Sequence, residues 1–135
     1  MLKNILATVV GFIVASVVVY LFETVIGHNL FPLAEGAKPE DIEWIKANMQ
    51  AIPVGSKIFV VIAHFMGIIS GMAIAGFISK TSMIPAYIVG ALMLLATFAT
   101  IFMLPKELWF TAADAILVIA GFFFGKSFAQ RFVFN

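Results

Sequence analysis

The sequence predicts an all-α integral membrane protein: four antiparallel transmembrane helices plus a short amphipathic interfacial helix between helices one and two. Three observations carry that prediction. Of 135 residues, 63% are hydrophobic and 11% charged, with a mean hydropathy of +1.12, whereas a soluble domain is roughly one quarter charged. The apolar residues fall into four runs, each approaching or exceeding the ~20 residues needed to cross a bilayer. The only markedly polar stretch lies between the first run and the second. The whole of residues 1–135 reads as a single membrane domain.

Helix one is expected over residues 5–26, where only Thr8, Ser16, Tyr20, Glu23 and Thr24 interrupt the apolar run. At about 22 residues it exceeds the roughly 7–15 apolar residues of a signal peptide, and no A-x-A-like cleavage site follows. It is therefore read as a retained membrane helix. Gly27 is the expected C-terminal cap, and Pro32 blocks continuation. Ala7, Gly11 and Ala15 recur every four residues, a small-residue face for close helix packing. Val17, Val18 and Val19 are expected to face lipid.

An amphipathic helix is expected over residues 39–52. Pro39 suits a first helical position, and Glu40, Asp41 and Glu43 complement the helix dipole. Ile42, Ile45, Met49 and Ile52 share one face, and Trp44 sits at headgroup level. This segment is a passive interfacial helix or a substrate lid. Helix two covers residues 57–78, with His64, Gly67, Gly71 and Ala75 on nearly one face. Helix three covers residues 84–104, opened by Pro85 and carrying Thr97 and Thr100, whose hydroxyls usually bond back to their own helix. Helix four covers residues 108–125, with Trp109 at its start, Asp114 in its second turn, and Gly121 and Gly125 in its last. The phenylalanines from Phe122 to Phe134 read as lipid anchors.

Charge and composition exclude several functions. The net charge is +1, and without a long basic run there is no basis for nucleic-acid binding. Cysteine is absent, which removes disulfides, thiolate catalysis and cysteine-based metal sites. No Gly-rich phosphate loop is present, and no motif names a cofactor. The expected partners are the lipid bilayer and, through the small faces at Gly11, Gly67, Gly71, Gly121 and Gly125, a second copy or another membrane protein.

Four crossings place both termini on one side, with Lys3, Lys80, Lys126 and Arg131 and no acidic residue. The other side holds Lys38, Lys46, Lys57 and Lys106 with Glu35, Glu40, Asp41, Glu43 and Glu107. Basic residues tie in number, but those on the terminal side lie in very short flanks, where they weigh most. The termini are therefore expected in the cytoplasm.

The embedded ionisable residues point to function. Glu23, His64 and Asp114 are expected at nearly one depth, about 6–10 Å below the surface that bears the polar loop. His28 lies just above, and Thr97, Thr100 and Thr111 share the layer. Ionisable groups in a bilayer are costly, and usually have a partner or a function.

Three chemistries suit the layer. The groups could carry protons, because burial disfavours the charged form of either residue type, in a proton- or cation-linked transporter or channel-like protein. They could hydrogen-bond one another and set helix register in a non-catalytic accessory or scaffold subunit. As a metal or small-ligand site, Glu23, His28, His64 and Asp114 are the candidate ligands, although residues five apart, such as Glu23 and His28, point to different faces of an α-helix. An enzyme is the least supported: a Ser–His hydrolase needs a serine at this depth, whereas Ser16 and Ser70 lie deeper and Ser56 is expected at the surface.

The pattern of Glu23, Gly27-His28 and Phe31-Pro32, the acidic loop ending in Ile52-Pro53, the glycine-rich second helix and Pro105 with Trp109 resembles a loose family of small bacterial four-helix inner-membrane proteins. The resemblance implies a bacterial inner-membrane location and a four-helix architecture, and no activity. Glu23 and His28 match its pattern; His64 and Asp114 do not.

Overall fold

A computed structural model describes residues 1–134, and all regular structure in them is helical. Five helices follow in order: α1, Leu2–Leu30; α2, Ile42–Asn48; α3, Val54–Ser79; α4, Ile84–Met103; and α5, Leu108–Val133. All but α2 are long and apolar enough to cross a membrane, as in a multi-pass membrane protein.

The central element is α3. In its most apolar window 44% of residues are buried, against 17% in α1 and 28% in each of α4 and α5. Its glycines explain why the neighbours come so close. A Cβ on Gly71 would lie 2.7 Å from Ala15 Cβ and 2.8 Å from the Gly11 carbonyl oxygen, and one on Gly67 would lie 2.6 Å from Val19. With Gly11 against Ala75 and Gly27 against Phe59, numbers along α1 rise as those along α3 fall. On the opposite face Gly121 meets Ile68, Gly125 meets Met72 and Ala129 meets Gly76, so α3 and α5 advance together. The small faces expected to serve self-association are therefore filled within one chain. Val19 packs here too, against Gly67 and the core, instead of facing lipid.

On α1 the outer face is the converse. Ile5, Val9, Ile13 and Val17 recur every four residues and are each at least 50% exposed, whereas Ala7, Gly11 and Ala15 are buried. Exposed apolar rows of this size suit lipid, because soluble monomers rarely carry such continuous patches.

Several boundaries differ from expectation. Gly27 is not a cap: its φ of −60° is right-handed helical, and the helix continues to Leu30. Its missing side chain instead admits Phe59. In the loop, Pro39 precedes the helix, and Asp41 is the N-cap, accepting hydrogen bonds from the amides of Glu43 (3.0 Å) and Trp44 (3.4 Å). At the far end α5 continues through Gly125 and Lys126 to Val133, since Gly125 packs against Met72 and neither it nor Lys126 interrupts the helix. Lys80 ends α3 in the left-handed conformation, φ 60°, its amide donating to the Gly76 carbonyl.

Candidate functional site

Within α1, Leu21–Gly27 is a π-helix. Such a segment hydrogen-bonds residues five apart and recurs at functional sites. It also stacks residues i and i+5 on one face. Glu23 and His28 accordingly line the same cavity, correcting the expectation that they diverge. The π-turn aligns them.

The cavity is a chamber of about 130 Å³, close to the ~150 Å³ of engineered cavities that admit a benzene ring. Beyond α1, it is lined by Trp44 and Ile45 of α2, by Met49 in the 3-10 turn that follows, by Ser56, Lys57 and His64 of α3, and by Thr100 of α4. Lys106, in the link before α5, and Phe110 also line it. Ile45 of α2, with Met49 and Ile52 after it, forms a small core with Val61 of α3 and Phe110 of α5, so this segment packs against those two helices. Trp44 lines this chamber. Ser56 is 2% exposed.

One network reaches the chamber wall through His64, Thr100 and Lys106. Asp114 is fully buried and is held on both oxygens: His64 Nδ1 lies 2.6 Å from Oδ1, and Lys106 Nζ donates to Oδ2 at 2.8 Å. Nε2 is the ring nitrogen that Asp114 does not engage. The Lys106 ammonium also donates to Thr100 Oγ1 at 3.3 Å and lies 4.6 Å from the Phe110 ring centroid. Thr100 in turn donates to the Thr97 carbonyl at 2.8 Å, as expected of a helical threonine. Thr97 is buried and enters only through that carbonyl.

A second ion pair lies two turns away, where Lys57, itself buried, donates to Glu107 Oε1. The other carboxylate oxygen of Glu107 is buried without a partner among the described residues. Because the Lys57 ammonium bonds it, the Glu107 carboxyl is held below the usual range. A lowered native value means that the unfolded chain binds more protons as pH falls. The pair's contribution is thus present above pH 4.5, the ordinary glutamate value, and is lost as pH drops through the native value. Thermal unfolding between pH 6 and pH 3 is expected to show this loss, and Glu107→Gln to flatten the slope.

The candidate residues are therefore partly united. His64 and Asp114 bond directly; Thr100 joins them through Lys106; Glu23 and His28 share the chamber, with no ion pair or hydrogen bond from either side chain among the described residues. No three histidine or acidic residues among the described residues are grouped to hold a metal ion, so the four candidate ligands do not form one metal centre. Lys57, Lys106 and Glu107, read from sequence as surface charges, are parts of the site. A signal existed: Lys57 to His64 and Glu107 to Asp114 are both seven-residue steps, two turns along one helical face. The equal steps pair up because α3 and α5 advance together.

No family model, curated protein or solved structure matches the chain.

Proposed function

We propose that the protein is a small proton-linked cation transporter whose working site is this chamber. The observation that carries the reading is the fully buried Asp114, shared by His64 and Lys106 beside an unpartnered Glu23. Ionisable groups at membrane depth mark ion and proton paths by default. The charged groups around the chamber are Glu23 and His28 from α1, Lys57 and His64 from α3, Lys106 from the link, and Asp114 and Glu107 as their partners; α2 contributes none to the wall. A proton on either imidazole adds positive charge, which opposes a bound cation. Proton and cation therefore compete.

In this reading the chain crosses a bacterial inner membrane four times in alternating directions, with α2 at the outer surface as a lid over the chamber. The termini are cytoplasmic, as the basic flanks at Lys3, Lys80, Lys126 and Arg131 favour. Below the chamber the glycine contacts leave no room for a path along the α1–α3 seam, so transport requires the helices to rearrange. Alternating access supplies such a rearrangement.

The test is proteoliposomes containing a pH-sensitive dye. A cation gradient is expected to drive proton movement in the wild type, and Glu23→Gln to reduce it at least tenfold. Unchanged coupling in both Glu23→Gln and His64→Gln would sink the reading. A second reading, an accessory or scaffold subunit, is favoured by the complete pairing of Asp114 within the chain. It predicts that these variants alter stability and leave no transport to lose.

A further inference from the structure

Lys106 reveals what the chamber is built to hold. Its ammonium rests on a carboxylate (Asp114), a hydroxyl (Thr100) and an aromatic face (Phe110). Each is a favourable partner for an N–H-bearing cation: charge-assisted hydrogen bonds to carboxylate are about twice as strong as neutral ones, and cation–π contacts add roughly 0.5–2 kcal/mol. Lys106 belongs to the short non-helical link between α4 and α5. It reaches the site as a tethered side chain and is not fixed by a helix of its own.

The charge count leaves room for one more cation. Lys57 and Lys106 stand against Glu107, Asp114 and Glu23: two ammonium groups and three carboxylates, hence one negative charge in excess before either imidazole is considered. Lys57 is committed to Glu107 and Lys106 to Asp114, both carboxylates behind the wall, so Glu23 is the one acid among the residues lining the chamber. Glu23 is the carboxylate left without a cation.

The walls decide which cation. A transition-metal ion takes several imidazole or carboxylate ligands in one shell, and among the described residues no group of three histidines or acids supplies them. Trp44, Ile45, Met49, Leu104 and Phe110 instead make much of the lining apolar and aromatic. An ammonium with a small alkyl group suits both features. It pairs with one carboxylate through N–H donors and buries its carbon against the wall, and about 130 Å³ accommodates only a few heavy atoms.

We propose that the chamber binds one small ammonium-type cation, ammonium or a short primary amine, at Glu23, and that Lys106 is its built-in competitor for the two carboxylates. The π-turn presents Glu23 to the chamber and places His28 above it on the same face. This inference deepens the transport reading and rests on the chamber being the working site.

Calorimetry with methylammonium chloride on the full-length protein in lipid nanodiscs tests it, with sodium chloride at equal ionic strength as the control. Saturable 1:1 methylammonium binding is expected, at least tenfold tighter than sodium and at least tenfold weaker in Glu23→Gln. Glu23 makes no bond within the fold, so that variant is expected to melt with the wild type. Lys106→Met, which removes the competitor, is expected to bind methylammonium more tightly, severalfold or more. If that variant is unstable, the Glu23→Gln comparison still decides.

Absence of methylammonium binding, equal sodium affinity, or full affinity in Glu23→Gln would each overturn the inference. The two readings fail separately. Methylammonium binding without proton movement in liposomes would leave the ammonium site and remove proton coupling. Proton movement driven by sodium, without methylammonium binding, would keep the transporter and discard the ammonium site.

Discussion

Asp114→Ala is expected to destabilise the protein by about 3–5 kcal/mol, the range for breaking a buried ion pair from one side. The magnitude follows from what remains. Lys106, its side chain 2% exposed, would keep a buried ammonium with only Thr100 as a hydrogen-bond partner, and His64 would lose the acceptor for Nδ1. Neutral hydrogen bonds between membrane helices average only about 0.6 kcal/mol, because the unfolded chain in the bilayer finds other partners. A stranded charge does not follow that average. Asp114→Asn retains an acceptor for the imidazole and is expected to cost less. Replacing Asp114, Lys106 and His64 together by apolar residues of similar size is expected to restore most of the loss, since buried ion pairs are often matched by well-packed apolar groups. Denaturant titration in mixed micelles measures all three variants. A cost under 1 kcal/mol for Asp114→Ala would mean that water reaches Lys106 freely.

Gly71→Leu is expected to separate α1 from α3. The first added carbon would already lie 2.7 Å from Ala15 Cβ, 2.8 Å from the Gly11 carbonyl oxygen and 2.9 Å from Val89. One of those obstacles is backbone, which cannot rotate away. Overpacking typically costs 1–3 kcal/mol, and the rest of a leucine side chain takes this site to the top of that range or beyond. Because α1 carries Glu23 and His28, the same variant is expected to widen the chamber. Spin labels on α1 and α3 would measure the separation directly. Gly55→Ala is the informative contrast: the three atoms nearest its Cβ all belong to the ring of Phe31, a 38% exposed residue and not backbone, so a smaller effect is expected. A change in Gly55→Ala as large as in Gly71→Leu would show that helix spacing is not set by the glycine seam.

The two predictions concern different parts of the molecule, and their legibility in the sequence differs accordingly. The seam was readable, because small residues every four positions share one face of any α-helix. Gly11, Gly67 and Gly71 indeed lie between α1 and α3. What such spacing leaves open is whose helix fills the face, and here the chain fills its own. The network was half readable. His64 and Asp114 stood out as ionisable groups within apolar runs, whereas Lys57, Lys106 and Glu107 resembled the surface charges that flank most membrane helices.

The amino-acid sequence by itself determined the helical class, the number of helices able to span a membrane and the concentration of embedded polar groups toward the loop-bearing end. Those properties follow from hydropathy and the 3.6-residue period, both local quantities. Only the tertiary structure decided that Lys106 folds back onto Asp114, that Lys57 and Glu107 pair beside it, and that α2 packs as a wall of the chamber. Each of these joins residues from different helices, so each depends on how the helices are placed. The π-turn belongs with them. An α-helical reading sends Glu23 and His28 apart; a widened turn, with Gly27 pressed against Phe59, brings both to the chamber. Helix period is local, but the departure from it arises where α1 packs against α3.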